Sequence, residues 1–135
     1  MKQAVFLDTN IIMYALGKEH PLKAPCRRYL EKIKDGELLV VSNTEVLQEI
    51  LHRYFSIRMP DVAEAALDAF KTFCREIYPI RLSEIEKAYT LLREFPSISA
   101  RDAVHAATML NNRIEKILSV DPHFDAIRGI KRIGP

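Results

Sequence analysis

Four carboxylates in this chain stand where a hydrolytic metal site could assemble: Asp8, Glu49, Asp102 and Asp121. Asp8 ends the apolar run Val5-Phe6-Leu7, and helix-spaced Ile11, Ile12, Tyr14, Ala15 and Leu16 follow at once. Asp121 ends a second run, Ile117-Leu118-Ser119-Val120, while Asp102 opens a helical stretch and Glu49 lies within two turns of another helix start. In a parallel α/β fold, strand carboxyl ends and the amino ends of the following helices face one edge. Carboxylates gathered there repel one another and raise each other's pKa unless a cation sits among them. The donors are hard oxygens, with no thiolate or imidazole set, which suits Mg²⁺ or Mn²⁺ better than zinc. An ion so held can orient and acidify a water and neutralise phosphate charge. Phosphodiester hydrolysis is the matching chemistry. No Gly-rich phosphate loop or serine–histidine–acid set competes with it.

Asp8, Asp102 and Asp121, like the nearby Glu45, also have a purely structural explanation. Asp8 or Thr9 can cap a helix, Asp102 sits where a capping-box acid would, and Asp121 before Pro122 is a natural helix start. Ser42-Asn43-Thr44-Glu45 reads as a capping box in which Glu45 reaches back to the Ser42 N–H. Capping does not account for Glu49, which lies beyond the first turn. A rotation of ~100° per residue puts it beside Val46 and Ile50, at the border of the apolar stripe. Glu49 is therefore the expected ligand and Glu45 the cap.

The elements that must position these groups alternate. Helical spacing marks Ala24 to Lys34, with Tyr29, Leu30 and Ile33 inward and Lys23, Arg27, Arg28, Lys32 and Lys34 outward. Leu38 to Val41 is a short buried strand. Two helices follow, one carrying Val46, Leu47, Ile50, Leu51 and Tyr54, the next Val62, Ala65, Ala66, Ala69, Phe70 and Phe73. Ile77 to Arg81 is a third strand, and Ser83 to Glu86 a second capping box leading a helix with Ile85, Ala88, Tyr89 and Leu92 inward. The last helix starts at Ser99, where Ala103, Ala106 and Ala107 allow close packing, and Ile130 to Ile133 adds an edge strand. The order β-α-α-β-α-α-β-α-α-β, with or without a last β, implies a three-layer α/β/α sandwich on a mainly parallel four- or five-stranded sheet.

At 135 residues, with 48% hydrophobic and 28% charged content, residues 1–135 read as one globular domain with an adequate core. The net charge of +2 permits an anionic partner without requiring one. Cys26 and Cys74 are isolated, so neither a zinc site nor a disulfide framework is indicated. No apolar run approaches the ~18 residues of a membrane span, and Asp8 interrupts any signal-peptide core. A reducing cytoplasmic setting is expected. Tyr54, Phe55, Ile57 and Met59 are candidates for a surface that pairs with another copy or takes a partner helix.

Four segments in order resemble the PIN-domain ribonucleases, close to the VapC toxins of toxin–antitoxin pairs: Phe6-Leu7-Asp8-Thr9-Asn10, Val46-Leu47-Gln48-Glu49, Ala100 to Ala107, and Leu118-Ser119-Val120-Asp121-Pro122-His123-Phe124. The resemblance covers essentially the whole chain. It implies a metal-dependent endoribonuclease with Asp8, Glu49, Asp102 and Asp121 as ligands and catalytic acids. Asn10 would steady the first acid, Ser119 stands where the family often has a small hydroxyl residue, and Asp125 is an outer member or a helix cap. RNA as substrate, an antitoxin protein as partner and a homodimer are further implications. A different class of function is a non-catalytic PIN-fold module that binds RNA or protein, for which four intact acids would be unnecessary. A haloacid-dehalogenase-type phosphatase also begins with a strand ending in Asp, but needs a second Asp where this chain has Asn10.

Overall fold

The computed structural model describes residues 2–135. Five parallel strands form one sheet: β1 (Ala4–Leu7), β2 (Leu39–Asn43), β3 (Cys74–Tyr78), β4 (Lys116–Leu118) and β5 (Lys131–Ile133), in the order β3-β2-β1-β4-β5. Six α-helices connect them: α1 (Thr9–Leu16), α2 (Lys23–Lys34), α3 (Thr44–Ser56), α4 (Pro60–Phe73), α5 (Leu82–Glu94) and α6 (Ala100–Asn111). A short 3₁₀ helix, Pro122–Ala126, precedes β5. Strands β1 to β3 step outward in one direction, and the chain then crosses back to β4 and β5 on the other side of β1. Right-handed crossovers put α1 to α4 on one face and α5 and α6 on the other, and α1 packs on α3 and α4 while α5 packs on α6. The three-layer sandwich expected from the sequence is the observed fold.

The reversal at β1 and β4 creates a switch point, where the connections diverge and leave a crevice at the strand carboxyl ends. Leu7 pairs with Leu118 there, and the Asp8 N–H donates to the Leu118 carbonyl at 3.0 Å. Fully buried Phe6, Leu7, Ile11, Ile12, Ile117, Leu118 and Phe124 make the floor under this edge rigid.

Several expectations shift in register. Strand β3 runs Cys74–Tyr78, not Ile77 to Arg81, because α4 passes directly into extended backbone at Cys74 and Pro79 has no N–H to continue the ladder. Ser42 caps nothing. It is the buried penultimate residue of β2, and its hydroxyl donates to the Leu7 carbonyl at 3.0 Å. Asn43 caps α3 instead, accepting from the Val46 N–H at 3.0 Å, so the expected Ser42–Glu45 box does not form. The second box also slides back two residues: Glu84, not Glu86, accepts from a cap N–H, that of Arg81. Helix α5 therefore buries Glu84, Ala88 and Leu91 and leaves Ile85 and Tyr89 exposed, against the expectation that both face inward. In α4 the buried alanines are Ala63 and Ala66, and Ala65 is exposed.

Candidate active site and metal centre

Asp8 caps α1 from the end of β1, its Oδ1 accepting from the Thr9 N–H at 2.7 Å. The cap and the site residue are one side chain. Its Oδ2 accepts from the Ser119 hydroxyl at 2.6 Å and from Asn10 Nδ2 at 3.2 Å. Asn10 turns its own Oδ1 to the Val120 N–H at 3.2 Å, which ties α1 to the segment after β4. Ser119 Oγ also accepts from the Asp121 N–H at 3.0 Å, so one buried hydroxyl joins the first acid to the backbone of the last. The tail fixes Ser119 in turn. Its N–H donates to the Ile133 carbonyl at 3.1 Å and its carbonyl accepts from Arg132 Nη1 at 3.1 Å. Gly134, at φ +142°, passes so close that a Cβ there would lie 2.6 Å from the Ser119 carbonyl oxygen.

Glu49 projects from the second turn of α3 to the same place. Its Oε2 accepts from the Thr9 hydroxyl at 3.1 Å, and its Oε1 is 2.6 Å from His105 Nε2. Glu45, one turn earlier, makes neither contact. His105 Nε2 is also 4.0 Å from Asp8 Oδ1, so the imidazole lies between the first two acids. Burial disfavours a charged imidazole, but the hydrogen bond with Glu49 and the charges of Asp8, Glu49 and Asp102 outweigh it and raise the pKa.

Asp102 opens α6 and Asp121 precedes the 3₁₀ helix. Each could offer an oxygen, and His123 a ring nitrogen, with the three atoms within 4.8 Å of one another. Asp121 Oδ1 accepts from the His123 N–H at 2.9 Å and lies 3.0 Å from its Nδ1. Burial raises the Asp102 pKa, and the charge of Asp121 raises it further. Burial also raises that of Asp8, against the favourable contacts with His105, Ser119 and Thr9. Such carboxylates are stabilised as anions by a divalent cation.

All four sequence-selected acids thus lie on one edge, in two pairs: Asp8 with Glu49, and Asp102 with Asp121. Asn10 and Ser119 stand between the pairs. Asp125 does not join them; it pairs with Arg132 at 3.2 Å on the surface. Sequence reasoning missed His105, Asn43, Thr9 and His123 as site neighbours. The one usable signal was His105 and Thr108, two polar residues at i, i+3 that are buried in α6 among Ala103, Ala106, Ala107 and Met109.

Two clefts of about 350 Å³ each lie beside the Asp8–Glu49 pair, one reaching Glu49 and the other Asn10, and share Met13 and Arg53. One holds Glu49, His52, Ser56 and Arg101; the other holds Asn10, Lys18 and the Tyr14–His20 ring pair, whose centroids are 4.7 Å apart. Cations and π faces beside a carboxylate centre suit the phosphates and bases of a single strand.

Comparison with known proteins agrees with this geometry. The PIN-domain profile matches residues 5–130. Ribonuclease VapC13 of Mycobacterium tuberculosis is 39% identical over 129 residues, 96% of this chain and 98% of that protein. Ribonuclease VapC23 of the same species is 32% identical over 87% of this chain and 92% of its own length. Among solved structures, M. tuberculosis VapC20, described as a sarcin-ricin loop cleaving toxin, superposes with a TM-score of 0.79 at 19% identity, covering 97% of this chain and 99% of that one. The VapBC2 complex of Rickettsia felis, bound to a promoter DNA fragment, gives 0.73 at 20% identity over 97% and 98%. With its acids at the switch point of a PIN sheet, the chain belongs to the PIN-domain family, among the VapC ribonucleases.

Proposed function

We propose that this protein is a metal-dependent endoribonuclease, the toxin half of a toxin–antitoxin pair, with Asp8, Glu49, Asp102 and Asp121 as its catalytic acids. The observation that carries this reading is the convergence of four acids from β1, α3, α6 and the end of β4 on one crevice, with relatives named as ribonucleases on either side of 35% identity. Asp8, Glu49, Asp102 and Asp121 would hold Mg²⁺ or Mn²⁺, and the imidazole of His123 adds a nitrogen donor that Mn²⁺ accepts more readily than Mg²⁺. When bound, the ion supplies a water of lowered pKa and charge neutralisation at phosphate.

The chain's own residues do the rest. Ser119 and Asn10 aim Asp8, while Thr9 and His105 aim Glu49. Arg53 and Arg101 offer guanidinium groups to the phosphates on either side of the scissile bond, and Tyr14 with His20 offers ring faces to an unpaired base. Incubating the purified chain with RNA and Mg²⁺ or Mn²⁺ should give discrete internal cleavage that EDTA stops. Intact RNA under all metal conditions, with binding retained, would instead support the non-catalytic module.

An antitoxin segment has a place to dock. Helices α3 and α4 enclose a groove of about 450 Å³, with Leu51, Phe55, Pro60, Ala63 and Leu67 as its apolar wall. Asp61, Glu64 and Asp68 outnumber Lys71 at its rim, which favours an amphipathic helix with basic residues. Phe55, Ile57 and Met59 are exposed as expected, but Tyr54, on the inward side of α3, is buried and takes no part. Among the described residues no helix is long and apolar enough to cross a membrane. A second copy of the chain is the competing occupant of the groove, and sedimentation of the chain alone and with its neighbouring gene product decides between them.

A further inference from the structure

We propose that Asn43 and His105 are positioning residues that hold the Glu49 carboxylate at the site, through a line of hydrogen bonds whose direction is set by backbone groups at its start. The proposal rests on the nuclease reading for its consequence, though not for its geometry. Asn43 Oδ1 is committed to the Val46 N–H as the cap of α3. Its Nδ2 therefore faces the opposite way, 2.9 Å from Thr108 Oγ1 and 3.1 Å from His105 Nδ1. The Thr108 hydroxyl spends its proton on the Val104 carbonyl at 2.9 Å, so Oγ1 accepts one Asn43 hydrogen and the other points at the ring. Nδ1 of His105 must then be an acceptor, and the ring proton sits on Nε2, 2.6 Å from Glu49 Oε1. The Thr9 hydroxyl holds Oε2 from the other side.

Nothing in this line is free to turn. Asn43 and Thr108 are wholly buried, His105 is 1% exposed, and the Phe6 ring packs on the imidazole with centroids 5.2 Å apart. A second ring proton, on Nδ1, would meet the Asn43 N–H. Accepting that proton would require the Asn43 amide to turn over and leave the Val46 N–H uncapped. The residue that starts α3 thus also orients, through β2 and α6, the acid that α3 carries six positions later. A glutamate has three rotatable bonds, and two fixed donors confine it to one of its many placements.

The alternative is that these bonds only satisfy buried polar groups, and the following experiment separates the two. A long-range ¹H–¹⁵N spectrum of the wild-type protein near neutral pH should show the His105 proton on Nε2 and a bare Nδ1. His105→Asn keeps a polar group near Nδ1 but falls short of Glu49, whereas His105→Gln can place an N–H where Nε2 was. His105→Asn should weaken Mn²⁺ binding and lower kcat by about 10–100-fold, with KM nearly unchanged, while His105→Gln recovers most of both. Should either variant fail to fold, Asn43→Ser, which can still cap α3 but brings no amide to the ring, is read in the same way. A proton on Nδ1 in the wild type overturns the proposal. So does an equal loss in both His105 variants that follows their Tm. Wild-type protein that binds Mn²⁺ but cuts no RNA would overturn the nuclease reading instead, and the spectrum and the Mn²⁺ affinities would still decide the positioning.

Discussion

The two halves of the acidic edge are built differently. Asp8 and Glu49 sit in a lattice of hydrogen-bond donors from Thr9, Asn10, Ser119 and His105. Asp102 and Asp121 are half-exposed, repel each other, and have exposed His123 as their near neighbour. Hydrogen bonds to a carboxylate favour its charged form without adding charge, whereas two facing carboxylates need a counter-ion. The buried half is therefore preorganised, and the half-exposed pair is the one that would gain most from a counter-ion. Preorganised donors and ligands contribute most to transition-state stabilisation because they need not rearrange during reaction.

Breaking the buried half should have the largest effect. Asp8→Asn should keep the fold and reduce cleavage by about 10³-fold or more, since several kcal/mol of charge stabilisation at phosphate is lost. Gel assays beside a circular-dichroism melt check this, and a cleaving Asp8→Asn protein would remove Asp8 from the site.

Within the same half, Glu49→Gln should abolish cleavage and weaken Mn²⁺ binding, with little change in the metal-free Tm. Glu45→Gln should retain most activity, because Glu45 touches neither Thr9 nor His105. The reverse pattern in a paired kinetic assay would show that the wrong glutamate has been assigned.

A third acid sharpens the contrast between function and structure. Glu84 is buried in α5, and the hydrogen bond from Asn111 Nδ2 at 2.6 Å holds its carboxyl below the usual range despite burial, with help from the Arg81 N–H and Ser83. Glu84→Ala should lower the Tm by about 3–8 °C, the loss of a cap and a charge-assisted bond, while kcat stays unchanged. Thermal melts with matched kinetics test it.

The open half should behave in the opposite sense. Without metal, Asp102→Asn relieves repulsion by Asp121 and should raise the Tm in EDTA by about 2–5 °C. The folded pKa of Asp102 is raised above 3.8, so the native state holds its proton more tightly than the unfolded chain. Stability therefore falls as pH rises from 3.8 through that raised value, and the ionised group is a liability above it. The gap between Asp102→Asn and wild type should thus be widest near neutral pH, should close toward pH 3.8, and should reverse when Mn²⁺ is added. A gap independent of pH and metal would mean that Asp102 is only a helix-start residue.

How far the sequence reveals this arrangement differs between the halves in the same way. Asp8 and Asp121 were legible because each ends an apolar run, and Asp102 and Glu49 because they lie near helix starts; parallel topology sends strand ends and helix starts to one edge. The donors around Asp8 were partly legible, since Asn10 and Ser119 lie in the same short motifs. The line through Asn43 and His105 was not, because its members come together from 62 and 56 positions apart. Local pattern also chose Ser42 over Asn43 as the cap of α3. Both are good capping residues; sheet pairing of Asn43 with Tyr78 and the acceptor at Leu7 decided the matter, and both are tertiary. The α5 stripe slipped for a related reason: Glu84 found Asn111 on α6, which turned Ile85 and Tyr89 outward.

The central claim is that the edge works as one metal-dependent phosphodiesterase site. Its most direct test is RNA cleavage by purified wild-type protein and Asp8→Asn, each with Mn²⁺, with Mg²⁺ and with EDTA. The expected result is cleavage by wild type in either metal, abolished by EDTA, restored by adding metal in excess, and absent from Asp8→Asn throughout. Wild-type cleavage that persists unchanged in EDTA, or equal cleavage by Asp8→Asn, would contradict it.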